Sequence, residues 1–264
     1  MNISQDSEKT LKVIDEKGFD KTISALISKL NQSDLNRAKS IWQEGIYSEI
    51  EFWDSYFATK GLQWADSYEM RFDPDLPLQS RPVALLPPQI EINILDVGAG
   101  PHTFLGKKHE GKQLNITAVD PLADEYELIF DKYQIPPAPV KTRKLAGEEL
   151  TTLFDRSTFD FVVARNCIDH SYSPEIAILQ MVDIVKSGSY VLLEHRENEA
   201  VNANYLGLHQ WNFSMSPEGD FIISSKFDTV NMTRKYADYF SITCEIVNEP
   251  DDDGEWLITR ILKK

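Results

Sequence analysis

Asp96, Gly98 and Gly100 stand in the run ILDVGAGPHTF, where a strand-like stretch ends in an acid and turns through two glycines. Glycines so spaced let the backbone come close to a ligand, and the acid biases the ligand's charge. In the dinucleotide fingerprint GxGxxG, a third glycine packs helix on strand while the helix N-terminus takes a pyrophosphate. Here Thr103 stands at that third position, and Asp96 repels a pyrophosphate at short range. The same carboxylate suits a ligand with a cationic amine and a sulfonium. The turn Gly98-Ala99-Gly100 therefore favours an adenosyl-methionine-type ligand over NAD. Asp120, in ITAVDP, falls about a βαβ step further on, where an acid can accept hydrogen bonds from both ribose hydroxyls. Glu148, in LAGEEL, keeps two readings: an acceptor for the adenine amino group, or an acid favouring the dipole of the next helix.

A second set of residues could move a proton. His170 lies in CIDHSYSP, His195 in LLEHRENEA and His209 in GLHQWNF. Ligands in open α/β sheets bind at the carboxyl ends of the strands, so these three are expected to converge there. His209 is the favoured general base, because Trp211 and Phe213 beside it could exclude water and stack on a ring. His170 is the alternative base, with Glu194 or His170 in support. His102 sits in the glycine turn, and His109 is expected at a solvated helix end. Cys167 follows Asn166 and reads as a small residue beside the ligand. Glu194, Asp169 and the three histidines are also donor types for a divalent ion. No tight spacing motif joins them, so no metal site is expected.

These residues need a sheet to hold them. Strand and helix signals alternate after residue 90, which argues for a parallel sheet covered by helices. The expected strands are 92–97, 115–120, 140–145, 159–165 and 190–194. Between the last two, Ser173 caps a helix, Pro174 enters its first turn, Ile178, Met181, Val182 and Val185 form its buried stripe, and Gly188 ends it. SITCEIVNEPDDDGEWLITRILKK reads as two strands joined by an acidic glycine turn, which adds an antiparallel strand. WNFSMSPEGDFIISSKF reads as an inserted hairpin. Upstream, Ile23, Leu26, Ile27 and Leu30 form one helical stripe, and Ile46, Ile50, Trp53 and Phe57 another. Five prolines between Arg71 and Gln89 deny helix and central strand, so an extended strap is expected there. The organisation is an N-terminal helical cap (1–72), a Pro-rich linker (73–90) and a main domain (91–264) with a hairpin insertion at 197–227. Trp53, Trp64, Tyr68 and Arg71 could cap the site, with Arg71 taking a carboxylate bidentately.

Composition narrows the partners. The chain has 264 residues, with 27 Lys and Arg against 42 Asp and Glu, a formal charge of −15. That field repels phosphate backbones, so nucleic acid is not expected as a partner. Two cysteines without a CxxC suit a reducing compartment. No run approaches the roughly 18 apolar residues of a membrane span, and MNISQDSEKTLKVIDEKG has no signal-like stretch. The expectation is a cytoplasmic protein acting on a small-molecule or sugar substrate.

ILDVGAGP, AVDP, LAGEEL, FDFVVARNCIDHSYSP and the C-terminal strand pair resemble the class I S-adenosylmethionine-dependent methyltransferases over roughly residues 90–264. The resemblance implies a Rossmann-like, doubly wound, mostly parallel seven-stranded sheet with an antiparallel C-terminal strand, and S-adenosyl-L-methionine as cofactor. By it, Gly98 and Gly100 cradle the methionine and ribose part and Asp120 binds the ribose. Asp96, Ala99, Pro121 and Asn166, in the same motifs, are counted with them, as are Glu148 and Arg71. His102 replaces the third glycine of the usual DxGxGxG, and LAGEEL lacks the usual adenine-binding aspartate. RNCIDHSYSP lacks the Asn/Asp-Pro-Pro-aromatic run of enzymes that methylate base amino groups, which leaves oxygen acceptors. GIYSEIEFWDSYFATKGLQWADSYEMRFDP and GLHQWNF are similar to a pattern in bacterial methyltransferases of glycan biosynthesis. Two rival readings remain: a methyltransferase-fold protein that binds without catalysis, and an NAD-dependent oxidoreductase.

Overall fold

The computed structural model describes Ile27, residues 32–249 and residues 254–264. Its frame is a seven-stranded sheet. Strands β1 (Glu91–Val97), β2 (Gln113–Asp120), β3 (Thr142–Lys144), β4 (Phe159–Arg165) and β5 (Val185–Arg196) are parallel. A separate antiparallel sheet holds β6 (Asn212–Met215), β7 (Phe221–Ser224) and β8 (Thr229–Asn231). The last two strands, β9 (Phe240–Asn248) and β10 (Glu255–Lys263), complete the main sheet in the order β3-β2-β1-β4-β5-β10-β9. Only β10 runs against its neighbours, pairing antiparallel with β5 on one side and β9 on the other. β1 and β4 are buried on both faces, and accordingly read as nearly unbroken apolar runs. From β1 the chain winds one way to β2 and β3, then returns to the other side for β4. The crevice at the carboxyl ends of β1 and β4 is the switch point where α/β sheets bind ligands.

The step from β1 to β2 contains no helix. Residues 98–112 cross as a loop, held by Gly98 and Ala99 N–H groups donating to the Val119 carbonyl at 2.8 and 3.1 Å. The Thr142 hydroxyl donates to the Gly100 carbonyl at 2.8 Å. His109 therefore lies in a turn, bridged to Lys112, and not at a helix end as expected. The N-terminal helix α1 (Gln32–Ala58) lays Ile46, Ile50, Trp53 and Phe57 onto one cluster with Leu122, Tyr126 and Ile129. The next helix, α2 (Ala65–Phe72), adds Tyr68 and Phe72 to it. Of the stripe at 23–30, Ile27 packs on the main core; Ile23, Leu26 and Leu30 lie outside the described residues.

Several local expectations need correction. The proline-rich stretch is helical at α3 (Ser80–Leu85), because Pro82 falls in the first turn, where its missing N–H costs nothing. The stretch also packs on the sheet, with Leu78, Val83, Leu85 and Leu86 in the core beneath β1 and β4. Helix α4 (Ala123–Tyr133) follows β2 and carries the Tyr126 and Ile129 used above. Helix α5 (Pro174–Ile184) starts as predicted, Ser173 accepting from the Ile176 N–H, but Gly188 does not end it. Val185 already pairs with Phe159, and Gly188, at φ +74°, sits in an irregular stretch of β5 before pairing resumes at Tyr190. Buried Lys263 of β10 closes the end of α5, its Nζ donating to the Asp183 and Val185 carbonyls at 2.9 and 2.8 Å. The inserted hairpin gains β8 as a third strand, framed by the short helices α6 (Glu199–Asn202) and α7 (Met232–Lys235). No described helix is long and apolar enough to cross a membrane.

Candidate active site

A cavity of about 710 Å³ opens at the carboxyl ends of β1, β4 and β5, roofed by α1 and by the loop at 206–209. That volume lies within the range of ligand sites and is ample for a nucleoside with a small acceptor beside it. At one end the glycine turn forms the floor. A Cβ on Gly98 would meet Cys167 Cβ at 2.6 Å, and one on Gly100 would meet the Trp53 ring at 2.9 Å. Both glycines have positive φ, +67° and +65°, so the turn needs glycine for its backbone as well as its space.

Asp120 lines this end. Its carboxylate accepts from the Gly100 N–H at 3.0 Å, the Leu122 N–H at 2.9 Å and the Tyr126 hydroxyl at 3.1 Å, which fixes its rotamer. Burial pushes it up to about 6, against the pull of those hydrogen bonds. Pro121, Ala99, Asn166, Cys167, Glu148 and Arg71 share the wall. Glu148 lies in the first turn of a short 3-10 helix, accepts from the Ser173 N–H at 3.0 Å and lines the cavity. Burial pushes Glu148 up to about 7. Arg71 donates to the His102 carbonyl and lies 5.7 Å from the Trp53 ring, while its Nε has no hydrogen-bond partner. Asn166 is held at φ +48°, its N–H donating to the Glu194 carbonyl at 2.8 Å. Cys167 is no nucleophile: its Sγ donates to the Val97 carbonyl at 3.1 Å, and burial raises its thiol well above the usual range.

Asp96 does not reach the cavity wall. It is 1% exposed, sits behind the turn and accepts from the Thr103 hydroxyl, which in turn accepts from the Leu105 N–H at 3.1 Å. Burial pushes it up to about 7. The Asp96–Thr103 pair thus braces the turn from within, so the cofactor contact expected of Asp96 is corrected. The threonine in place of a glycine has this structural use.

At the other end, two of the three histidines meet. His170 Nε2 and His209 Nδ1 are 3.0 Å apart, the rings edge to face, and both line the cavity. His195 does not join them. It is buried beneath, its Nε2 accepting from the Ile168 N–H at 3.1 Å and its ring against Phe213. Burial holds His195 down at about 4, so it stays neutral. Glu194 is also displaced from its expected role. It is 2% exposed and bound by Arg165 at 2.7 Å and Arg81 at 3.4 Å, away from the histidines. Side chains alternate along β5, and the adjacent His195 and Glu194 point to opposite faces. Trp211 and Phe213 turn inward, Trp211 Nε1 donating to the Ser171 carbonyl at 3.1 Å, and Tyr68 packs within the cap cluster; none of the three lines the cavity. Trp53 and Trp64 do line it.

The carboxylate that attends the histidines is Asp169, 3.3 Å from His170 Nε2 and 3.5 Å from His209 Nδ1. Burial would raise Asp169, but the positive charge available on His170 and its neighbours wins and holds it below the usual range. His170, pulled down by burial, is raised overall by Asp169, Glu49 and Glu199. Glu49 of α1 and Glu199 of α6 complete the acidic surround; nothing in their local sequence marks either, whereas the Asp169-His170 dipeptide after β4 was a signal. The lack of a spacing motif argued against a metal, yet Asp169, His170 and His209 come together as a donor cluster.

Sheet order, single reversed strand, glycine turn and strand-end acid together define the class I S-adenosylmethionine-dependent methyltransferase fold. Residues 69–230 match the family model Methyltransf_23, described as a methyltransferase domain, and the chain belongs to that family. The structure from the complex of the Haloferax volcanii Trm112 methyltransferase activator with its methyltransferase has TM-score 0.52 and 13% identity, over 82% of this chain and 96% of that one. An S-adenosylmethionine-dependent methyltransferase from Methanosarcina mazei is 16% identical with TM-score 0.43, over 71% of this chain and 99% of that one. One from Listeria monocytogenes is 12% identical with TM-score 0.43, over 70% and 96%. No curated protein matches the chain. S-adenosyl-L-methionine is the cofactor of this methyltransferase. The residues present fit it: a turn at the cavity floor whose two glycines leave no room for a Cβ, an acid at the end of β2 and an arginine with a free Nε at the wall.

Proposed function

We propose that the chain methylates an oxygen of a small-molecule or sugar-like acceptor. Bound S-adenosyl-L-methionine supplies an electrophilic methyl group on a sulfonium. In this reading Gly98, Ala99 and Gly100 receive its amino-acid end, Arg71 its carboxylate, Asp120 and Pro121 its ribose side, and Glu148 and Asn166 its base side. The chain itself must place a hydroxyl and receive its proton. One observation carries the choice of oxygen: the His170–His209 pair, attended by Asp169, on the cavity wall. His209 takes the proton, His170 shares it, and Asp169 stabilises the charge that results. A base so placed typically contributes about 10²–10⁴-fold. Trp42, Trp53, Trp64 and Trp256 give the cavity aromatic faces on which a sugar ring can lie.

The test uses the purified full chain, S-adenosyl-L-methionine with a labelled methyl group, and a panel of sugar hydroxyls, phenols and amines. The expected result is label in an ether linkage, with His209→Ala lowering kcat by about 10²–10⁴-fold and leaving S-adenosylhomocysteine affinity within a few-fold. Label on nitrogen or carbon would sink the oxygen assignment. Cofactor binding without turnover on any acceptor would favour the noncatalytic reading.

A further inference from the structure

Three donor atoms at the acceptor end converge on one point. Asp169 Oδ2 lies 3.3 Å from His170 Nε2 and 3.5 Å from His209 Nδ1, and the two ring nitrogens are 3.0 Å apart. A tetrahedral ion about 2.0–2.1 Å from each donor would separate them by roughly 3.3 Å. Hydrogen bonding does not account for the arrangement. A proton can join the two rings, but Asp169 is 2% exposed and neither of its oxygens has a hydrogen-bond partner. Charge on the two imidazoles offsets the burial of this carboxylate, but neither ring presents it with an aligned N–H. A cation at the common point satisfies all three donors at once. Among the described residues, this is the one cluster of three or more His, Cys, Asp or Glu donors so gathered.

We propose that Asp169, His170 and His209 bind one divalent transition-metal ion of the zinc type. Two imidazoles and a carboxylate suit such an ion, whereas magnesium and calcium take oxygen donors. The surround is consistent with it. Glu49 Oε2 lies 3.6 Å from His170 Nδ1, the ring's far nitrogen, where a carboxylate orients a metal-bound imidazole. Glu49 is itself held by Trp53 Nε1 at 2.8 Å. Three protein donors leave a position open, as catalytic sites of this kind do. His170 and His209 line the cavity, so that position faces the acceptor. The inference deepens the proposed function, resting on that reading only for its use in catalysis. With the ion in place of the shared proton, an acceptor hydroxyl at the open position is acidified and its proton leaves to solvent.

The experiment is titration of chelator-treated full-length protein with Co²⁺, read by its visible absorption, followed by competition with Zn²⁺. One equivalent of Co²⁺ with a visible band that Zn²⁺ abolishes is expected. His209→Ala and Asp169→Asn should each weaken binding by at least tenfold, while both variants still bind S-adenosylhomocysteine, which shows that they are folded. His109→Ala, in a distant turn, should bind Co²⁺ like the parent. Absence of a Co²⁺ complex, or a complex that survives His209→Ala unchanged, overturns the site. Ion binding without ether formation on any acceptor leaves the site standing and sinks the oxygen reading. Full-rate ether formation by protein that takes up no ion does the reverse.

Discussion

At Gly98 two separate demands fall on one residue: φ is +67°, and any Cβ would collide with Cys167. Gly98→Ala is expected to destabilise the protein by about 1–3 kcal/mol and to abolish S-adenosylhomocysteine binding. Adding Cys167→Gly should recover the steric part and leave about 1 kcal/mol of backbone strain, measurable by urea unfolding. Full recovery in the double variant would show that φ carries no cost. Asp120 makes a prediction in pH. Its carboxylate sits near 6 because burial opposes its charge, and the ribose contact proposed for it requires the ionised form. Affinity for S-adenosylhomocysteine should then fall as pH drops from 7.5 through 6 to 5, the carboxylate taking up a proton. Asp120→Asn should bind about 10–100-fold more weakly with a flattened profile, by calorimetric titration. A wild-type affinity that does not change between pH 7.5 and 5 would remove Asp120 from ribose binding.

Helix α1 acts as a roof over the glycine turn as well as a partner of α4. Trp53 lies across Gly100, reaches Arg71 by its ring and holds Glu49 by its Nε1. It therefore touches the cofactor end and, through Glu49, the histidine end. Trp53→Ala should cost roughly 1–2 kcal/mol in unfolding free energy, less than a fully buried tryptophan, because the ring is only half-buried. It should also weaken S-adenosylhomocysteine binding by about tenfold or more, and tryptophan fluorescence in the parent should respond to that ligand. A variant with lowered stability but unchanged ligand affinity would make Trp53 a packing residue alone.

Over the whole molecule, acid tolerance depends on imidazoles buried neutral. His102, among Phe57, Phe72 and Phe130, is held down at about 3 by burial and by the charges of Arg71 and Lys107; His195 is at about 4. Unfolded, both return to about 6.5. The unfolded chain therefore binds more protons below pH 6.5. The stability tied to these neutral rings is complete above that value and is lost as pH falls toward 4 and 3. Asp96 and Glu148, pushed up to about 7, act in the opposite sense, so the wild-type profile is a compromise. The difference between wild type and His102→Leu isolates one ring. Moving from pH 7.5 to 5 should cost the wild type about 2 kcal/mol more than the variant in urea unfolding. Parallel profiles would mean that His102 is not buried neutral in the folded state.

The sheet and the glycine turn were legible in the sequence, since both depend on short-range pattern. Apolar runs at β1 and β4, two glycines where φ must be positive and an acid at the end of β2 are each legible within a few residues. The Ser173-Pro174 start of α5 was readable for the same reason. Relations across distance were not legible in the sequence. Asp96 and Glu194 are acids at strand ends like Asp120, but what each faces depends on the Thr103 hydroxyl in one case and on Arg165 and Arg81 in the other. His195 was separated from His170 and His209 by which face of β5 its side chain takes, beneath an inserted sheet. Helix α3 formed in a proline-rich stretch because Pro82 fell in a first turn, where local helix cost vanishes and packing on the sheet could win. The histidine end joins residues 49, 169, 170, 199 and 209, brought from four separate segments. No local periodicity encodes that meeting; it follows from winding the chain around a switch point and laying α1 and the insertion over it.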